Sequence, residues 1–120
     1  MTGQAADEAR YLLMERTPPI PKRLKAARLR AKLSQRQLGI TAGIDEFSAS
    51  PRINQYERGK HTPDFHTAER LAKVLGCPTT YLYTREDDLA ELILLWAGLP
   101  ERQRRRLLSQ LRSQKNRKPR

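Results

Sequence analysis

The stretch Ser50-Pro51-Arg52-Ile53-Asn54-Gln55-Tyr56-Glu57-Arg58-Gly59 places an arginine, an asparagine and a glutamine within four positions. Arg presents a fork of N–H donors, and Asn and Gln each set a carbonyl oxygen beside an amide NH2. Side chains of this kind recognise patterned hydrogen-bonding surfaces rather than break bonds. The rest of the chain offers little for a reaction. It has no nucleophile–base arrangement and no glycine-rich phosphate loop. His61, His66 and Cys77 stand at no metal-ligand spacing. Asp87-Asp88 reads as the N-cap of a helix, not as a catalytic carboxylate pair. The expectation is a binding protein with no catalysis, no metal and no cofactor.

The charge says what kind of ligand such a surface would meet. Twenty-four Lys/Arg against thirteen Asp/Glu leave the 120-residue chain at +11. That excess favours a polyanion, because each phosphate neutralised by Lys or Arg releases condensed counterions. One cysteine excludes an internal disulfide framework. The longest apolar run, Leu92 to Ala97, is far too short to cross a bilayer. The N-terminus carries acidic residues and only a short apolar patch, Tyr11 to Met14, unlike a secretory signal. These features predict a cytoplasmic protein without a membrane partner.

The elements that position the polar stretch read as helices joined by turns, with no period-2 strand. Residues 1–20 form an N-terminal arm ending in Thr17-Pro18-Pro19-Ile20-Pro21, with at most a weak helix over Asp7 to Met14. A first helix runs from Pro21 to about Lys32, with Leu24, Ala27 and Ala31 on its inner stripe. Arg28 interrupts that stripe, while Lys22, Arg23, Lys25, Arg30 and Lys32 form a solvated face. A second helix, Gln35 to Ala42, opens on Ser34 with Gln37 completing a capping box, and Leu33 can staple against Leu38. Gly43 ends it, Ile44 to Ala49 form a turn, and a third helix covers Pro51 to Arg58 with Ser50 as N-cap. A fourth helix follows Thr62-Pro63-Asp64, with Ala68, Leu71, Ala72 and Leu75 inward and Gly76 at its end. A short fifth element, Pro78 to Tyr83, offers Tyr81, Leu82 and Tyr83 to the core. Leu89, Leu92, Ile93 and Trp96 then mark a sixth helix. Gly98-Leu99-Pro100 breaks it before a seventh, which carries Leu107, Leu108 and Leu111 among arginines. Residues 113–120 read as a basic disordered tail.

The strings LSQRQLGITAG, INQYERGKHTPD and AERLAKVLG, in that order, resemble the Xre/Cro-type helix-turn-helix family of phage repressors and bacterial regulators. The likeness covers about Leu24 to Tyr83. It rests on Leu-Ser-Gln opening the second helix, Leu38 after it, Tyr-Glu-x-Gly closing the third, and Pro63 before the fourth. The resemblance implies an all-α, five-helix repressor-like bundle over residues 21–84 that binds double-stranded DNA. It implies that Ser34 and Gln35 meet the phosphate backbone at a helix N-terminus, where anions are favoured. It makes the third helix the reading element, with Ser50, Pro51, Arg52 and Gln55 facing the major groove and Asn54 flanking. Arg matches guanine O6 and N7, and Gln or Asn matches adenine. Lys60 and His61 would approach phosphates, while Ile53 and Tyr56 point inward. The family also pairs an arginine of the first helix with the glutamate ending the reading helix, so Arg28 and Glu57 are expected to form a partly buried salt bridge.

Two departures from the family pattern stand out. Gly39 replaces the usual alanine where the second and third helices nearly touch. The turn before the reading helix is about four residues longer than the family's, with the surplus inside Ile44 to Ala49. Beyond the family core, residues 85–112 form a C-terminal helical hairpin with more apolar residues than one small face needs. A homodimer through these helices is the expectation. The alternative is an antitoxin-like or other protein-interaction module that uses the same hairpin. An RNA-binding module lacks the aromatic stacking surface it would need.

Overall fold

The computed structural model describes residues 2–116 of the chain. The described residues form eight α-helices: α1 (Thr2–Arg16), α2 (Pro19–Arg30), α3 (Gln35–Thr41), α4 (Ala49–Glu57), α5 (Phe65–Leu75), α6 (Thr79–Leu82), α7 (Asp87–Ala97) and α8 (Glu101–Lys115). The five largest side chains with essentially no exposure are Leu24, Leu38, Ile53, Leu71 and Leu82. They come one each from α2, α3, α4, α5 and α6, so those helices share a single core. Each such burial is worth about 1.5–3 kcal/mol. The expected all-α, five-helix bundle is what forms.

Local signals placed most of these helices. Ser34 Oγ accepts the Gln37 N–H at 3.0 Å and Gln37 Oε1 accepts the Ser34 N–H at 2.8 Å, the predicted capping box. Asp64 accepts the Thr67 N–H at 2.8 Å and so caps α5. Both bonds satisfy N–H groups that a helix start leaves without internal partners. Gly43 and Gly76 adopt φ of 93° and 71°, the left-handed conformation that closes a helix. All four inner positions expected of α5 are buried.

Several expectations are corrected. Residues 2–16 are helical rather than an unpatterned arm. The segment has no apolar stripe, but Ala, Glu, Arg, Leu and Met are strong helix formers. Helix α2 starts two residues earlier than expected, because prolines are tolerated in a first turn whose N–H groups have no internal partner. Ala31, expected inside, is exposed because α2 ends at Arg30. Arg23, expected on the solvated face, is buried. Helix α4 starts at Ala49, and Ser48 precedes it without a side-chain cap, so Ser50 and Pro51 lie inside its first turn. Asp87 and Asp88 likewise lie in the first turn of α7 and do not cap it. Tyr81 and Leu82 enter the core but Tyr83 is exposed. Residues 113–115 belong to α8 rather than to a disordered tail, and residues 117–120 lie outside the described residues.

The C-terminal hairpin packs differently from the bundle. Ala90 is buried, and Ile93 and Leu94 pack against the core, so α7 turns an i, i+3, i+4 stripe towards the bundle. Leu89, Leu92 and Trp96 belong to its other side. Together with Leu107 and Leu111 of α8 they line a groove of about 440 Å³. Arg104 draws α8 back onto α7 by donating to the Trp96 and Ala97 carbonyls at 2.9 and 2.6 Å. No residue of α8 is buried.

Candidate nucleic-acid interface

The site is built on the α3–α4 pair, and the contact between those helices begins at a missing side chain. A Cβ on Gly39 would lie 2.8 Å from the Ala49 Cβ and 3.0 Å from its Cα and carbonyl oxygen. The two backbones therefore approach more closely than an alanine at position 39 permits. This is the physical content of the glycine that departs from the family pattern.

The longer turn is held at both ends. Ile44 is buried and its N–H donates to the Gly39 carbonyl at 2.9 Å. Ala49 is buried where α4 begins. Between them, Asp45 Oδ2 accepts the Phe47 N–H at 3.1 Å, the Ser48 N–H donates to the Asp45 carbonyl, and Arg36 of α3 forms an ion pair with Glu46. Phe47 stands 88% exposed at the tip. The turn thus carries Asp45, Glu46 and Phe47 on the surface, between the buried Ile44 and Ala49.

Beneath the surface lies a charged network. Arg28 Nε donates to Glu57 Oε2 at 2.6 Å and Nη2 donates to Oε1 at 3.0 Å, while Nη1 donates to the Leu33 carbonyl at 3.0 Å. The two side chains are 11% and 4% exposed, so the predicted ion pair is present and more fully buried than expected. The hydrogen bonds that Arg28 donates to Glu57 hold its guanidinium above its ordinary pKa, against the opposing effect of burial. Glu57 Oε1 also accepts from Gln35 Nε2 at 3.3 Å, and the same nitrogen donates to Asn54 Oδ1 at 3.2 Å.

That network orients two of the expected contact residues. With Gln35 Nε2 and Asn54 Oδ1 engaged on each other, Gln35 turns its carbonyl and Asn54 its NH2 to other partners. Along α4, Arg52 and Gln55 are three apart and share a face, as do Ser50 and Asn54, four apart. Pro51 and Arg52 are exposed, and Ser50, Asn54 and Gln55 are half-buried. Ser34, exposed, begins α3 beside Gln35. The start of α3, with Ser34 and Gln35, thus lies against Asn54 and Glu57 in the second half of α4, whereas Ser50 and Pro51 follow Ala49, which meets Gly39 at the other end of the pair.

Lys60 and His61 are placed elsewhere. Both are exposed, and their N–H groups donate to the Gln55 carbonyl at 2.9 and 3.4 Å, beyond the C-terminal end of α4. Nine residues separate the ends of that helix by about 13 Å, so these two lie at the opposite end of α4 from Ser50 and Pro51. Sequence reasoning missed Arg36, which is exposed on the first turn of α3 next to Gln35. Its pairing with Glu46, ten residues on, follows from the shape of the turn and has no signal in helical spacing. Cys77 is partly buried, and that burial pushes its thiol pKa up, away from reactivity.

The order of helices and the close α3–α4 approach define a helix-turn-helix unit. The sequence family described as a helix-turn-helix domain matches residues 22–88, more than half of the chain. The chain belongs to the Xre-type helix-turn-helix family, a class of DNA-binding domain. It is similar to the crystal structure of the transcriptional regulator BswR at 51% identity and a TM-score of 0.75, over 78% of this chain and 93% of that one. No curated protein sequence gives a significant match. No described helix is long and apolar enough to cross a membrane.

Proposed function

We propose that this protein is a sequence-specific transcriptional regulator, acting as a repressor in the cytoplasm, that reads double-stranded DNA with α4 in the major groove. The observation that carries this reading is the shared face of Arg52 and Gln55, set beside a Gln35–Asn54 pair that Glu57 holds from below. Rigid, pre-oriented amide groups lose little entropy on meeting a base edge. Ser34, Gln35, Lys60, His61 and backbone amides fix the register on phosphates, with Arg36 an added candidate. Arg52 and Gln55 read base edges, with Ser50, Pro51 and Asn54 flanking. The likeness to a protein named as a transcriptional regulator supports the regulatory role. Occupancy of promoter DNA is enough to block transcription, which makes repression the simplest outcome.

We further propose that the C-terminal hairpin makes the protein a homodimer on a two-fold-related operator. The exposed Leu92, Leu95, Leu108 and Leu111 support this reading. The same apolar surface supports the second reading, an antitoxin-like partner-binding module. Selection of bound sequences from random duplex DNA at stated salt tests the proposal. Wild type should enrich a palindrome and Arg52→Ala should lose one base preference. Binding without any enrichment would sink sequence-specific recognition.

A further inference from the structure

A second polar cluster lies on the far side of α2 from the Arg28–Glu57 pair, where the bundle meets the C-terminal hairpin. The Arg23 side chain is only 7% exposed. Its Nε donates to the Thr84 carbonyl at 2.8 Å and its Nη2 to the Arg85 carbonyl at 2.9 Å. The same Nη2 reaches Asp87 Oδ1 at 2.9 Å, and Lys22 Nζ donates to that oxygen at 2.8 Å. One arginine thus gathers the segment between α6 and α7 and the first residue of α7. Its guanidinium also lies 5.8 Å from the centroid of the buried Tyr81 ring. These bonds hold the Asp87 carboxyl below its usual range.

Beside this cluster, the apolar residues that α7 packs into or against the core are Ala90, Ile93 and Leu94, one small stripe. A single stripe lets a helix roll or swivel about it. A second fixed point at the helix start removes that freedom. The buried guanidinium makes the point stiff, because its desolvation is offset only while its acceptors stay in place.

We propose that the Lys22–Arg23–Asp87 clasp sets the spacing at which two copies of this protein read paired DNA half-sites. The inference rests on the dimeric reading proposed above. In such a dimer, the path from one reading helix to the other runs from α4 through α2, the clasp and α7 to the hairpin of the second copy. Fifteen residues of α8 make a lever of about 22 Å. A swivel of about 10° at the clasp therefore moves the hairpin's end by about 4 Å, more than the rise of one base pair, about 3.4 Å. Arg23 and Asp87 are positioning residues: they touch no base, yet they decide which half-site separations both reading helices can reach together.

The test measures binding to a set of duplexes carrying two half-sites at separations varied one base pair at a time. It compares wild type with Arg23→Met and with Asp87→Lys. The second variant opposes Lys22 and Arg23 from an exposed position and leaves the core untouched, so it keeps the test valid if Arg23→Met folds poorly. Wild type should prefer one separation by at least about tenfold over neighbours one or two base pairs away. Asp87→Lys should bind those neighbours within about threefold of the best, with affinity for a single half-site unchanged. Backbone 15N relaxation on the free protein supplies an independent readout. The α7–α8 amides should tumble with α2–α6 in wild type and separately in the variant. A folded Asp87→Lys that keeps the wild-type spacing preference, or whose hairpin still tumbles with the bundle, overturns the clasp's role. A wild type that selects only unpaired half-sites and sediments as a monomer overturns the dimeric reading, and the clasp's role with it.

Discussion

The α2–α6 bundle and the α7–α8 hairpin are both built from amphipathic helices, yet they are finished to different degrees. Each helix of the bundle contributes a large side chain with essentially no exposure, and the buried charge of Arg28 finds Glu57 and a backbone carbonyl. The hairpin buries a single alanine and leaves Leu89, Leu92, Leu95, Leu108 and Leu111 between 39% and 62% exposed. A reading surface must be rigid before its ligand arrives, because ordering it on binding weakens affinity. An association surface can be completed by its partner. The contrast teaches that the bundle completes its own packing within one chain, whereas the hairpin leaves an apolar surface open.

The most direct way to break that contrast is to attack the bundle's ion pair. Removing one partner, as in Glu57→Leu or Arg28→Met, strands a buried charge or a buried acceptor and should cost about 3–5 kcal/mol. The double variant should lose less than either single one. Chemical denaturation of the four proteins checks this, and full additivity would show that the pair is more solvated than its exposure indicates. Next in size are the reading residues. Arg52→Ala and Gln55→Ala should each remove about 1–3 kcal/mol of discrimination at one base position with little change in stability. Uniform weakening on every sequence, with a shallower salt dependence, would instead assign the residue to a phosphate.

Gly39→Ala probes the closest contact in the bundle. Better helix propensity should return about 1 kcal/mol, but overpacking against the Ala49 backbone should cost about 1–3 kcal/mol. The expected net effect is a lower melting temperature, and a rise would mean that α3 and α4 separate freely. Asp64 tests a helix start. Its carboxyl is held below the ordinary range chiefly by the Thr67 N–H. A depressed folded pKa gives stability that is present above the unfolded value, near 3.8, and is lost as pH falls through the folded value. Asp64→Ala should lower stability modestly at neutral pH, through loss of the cap, and should flatten the acid side of the stability profile. The smallest effect belongs to the hairpin. Removing residues 98–120 should change the stability of dilute monomer by less than about 1 kcal/mol, since no residue of α8 is buried. A large loss in thermal unfolding would place α8 in the bundle's core after all.

Much of the bundle was legible because its signals are local. The Ser34–Gln37 box, Gly43 and the Ala68-Leu71-Ala72-Leu75 face each lie within one helix or at its end, where spacing maps directly onto geometry. The Arg28–Glu57 pair was legible for a different reason: a charge on an apolar stripe demands a partner, and the family resemblance implied that the partner is Glu57. The start of α4 was misread because Ser50-Pro51 is a good cap signal. It lost to the burial of Ala49 against Gly39, a contact ten residues apart. Arg23 was misread because nothing in its neighbourhood in sequence shows that Thr84, Arg85 and Asp87 come back to meet it, more than sixty residues later.

By itself the sequence determined most of the helices, the Ser34–Gln37 capping box, the family and the polar residues that α4 carries, since these depend on neighbours within a turn or two. Only the tertiary structure decided which face of α7 meets the core, which residues of the long turn lie on the surface, and that Arg23 fastens the hairpin to the bundle. Those outcomes depend on where distant backbone carbonyls and small side chains are brought together. Burial and hydrogen bonding act on three-dimensional proximity, which periodicity along the chain does not encode.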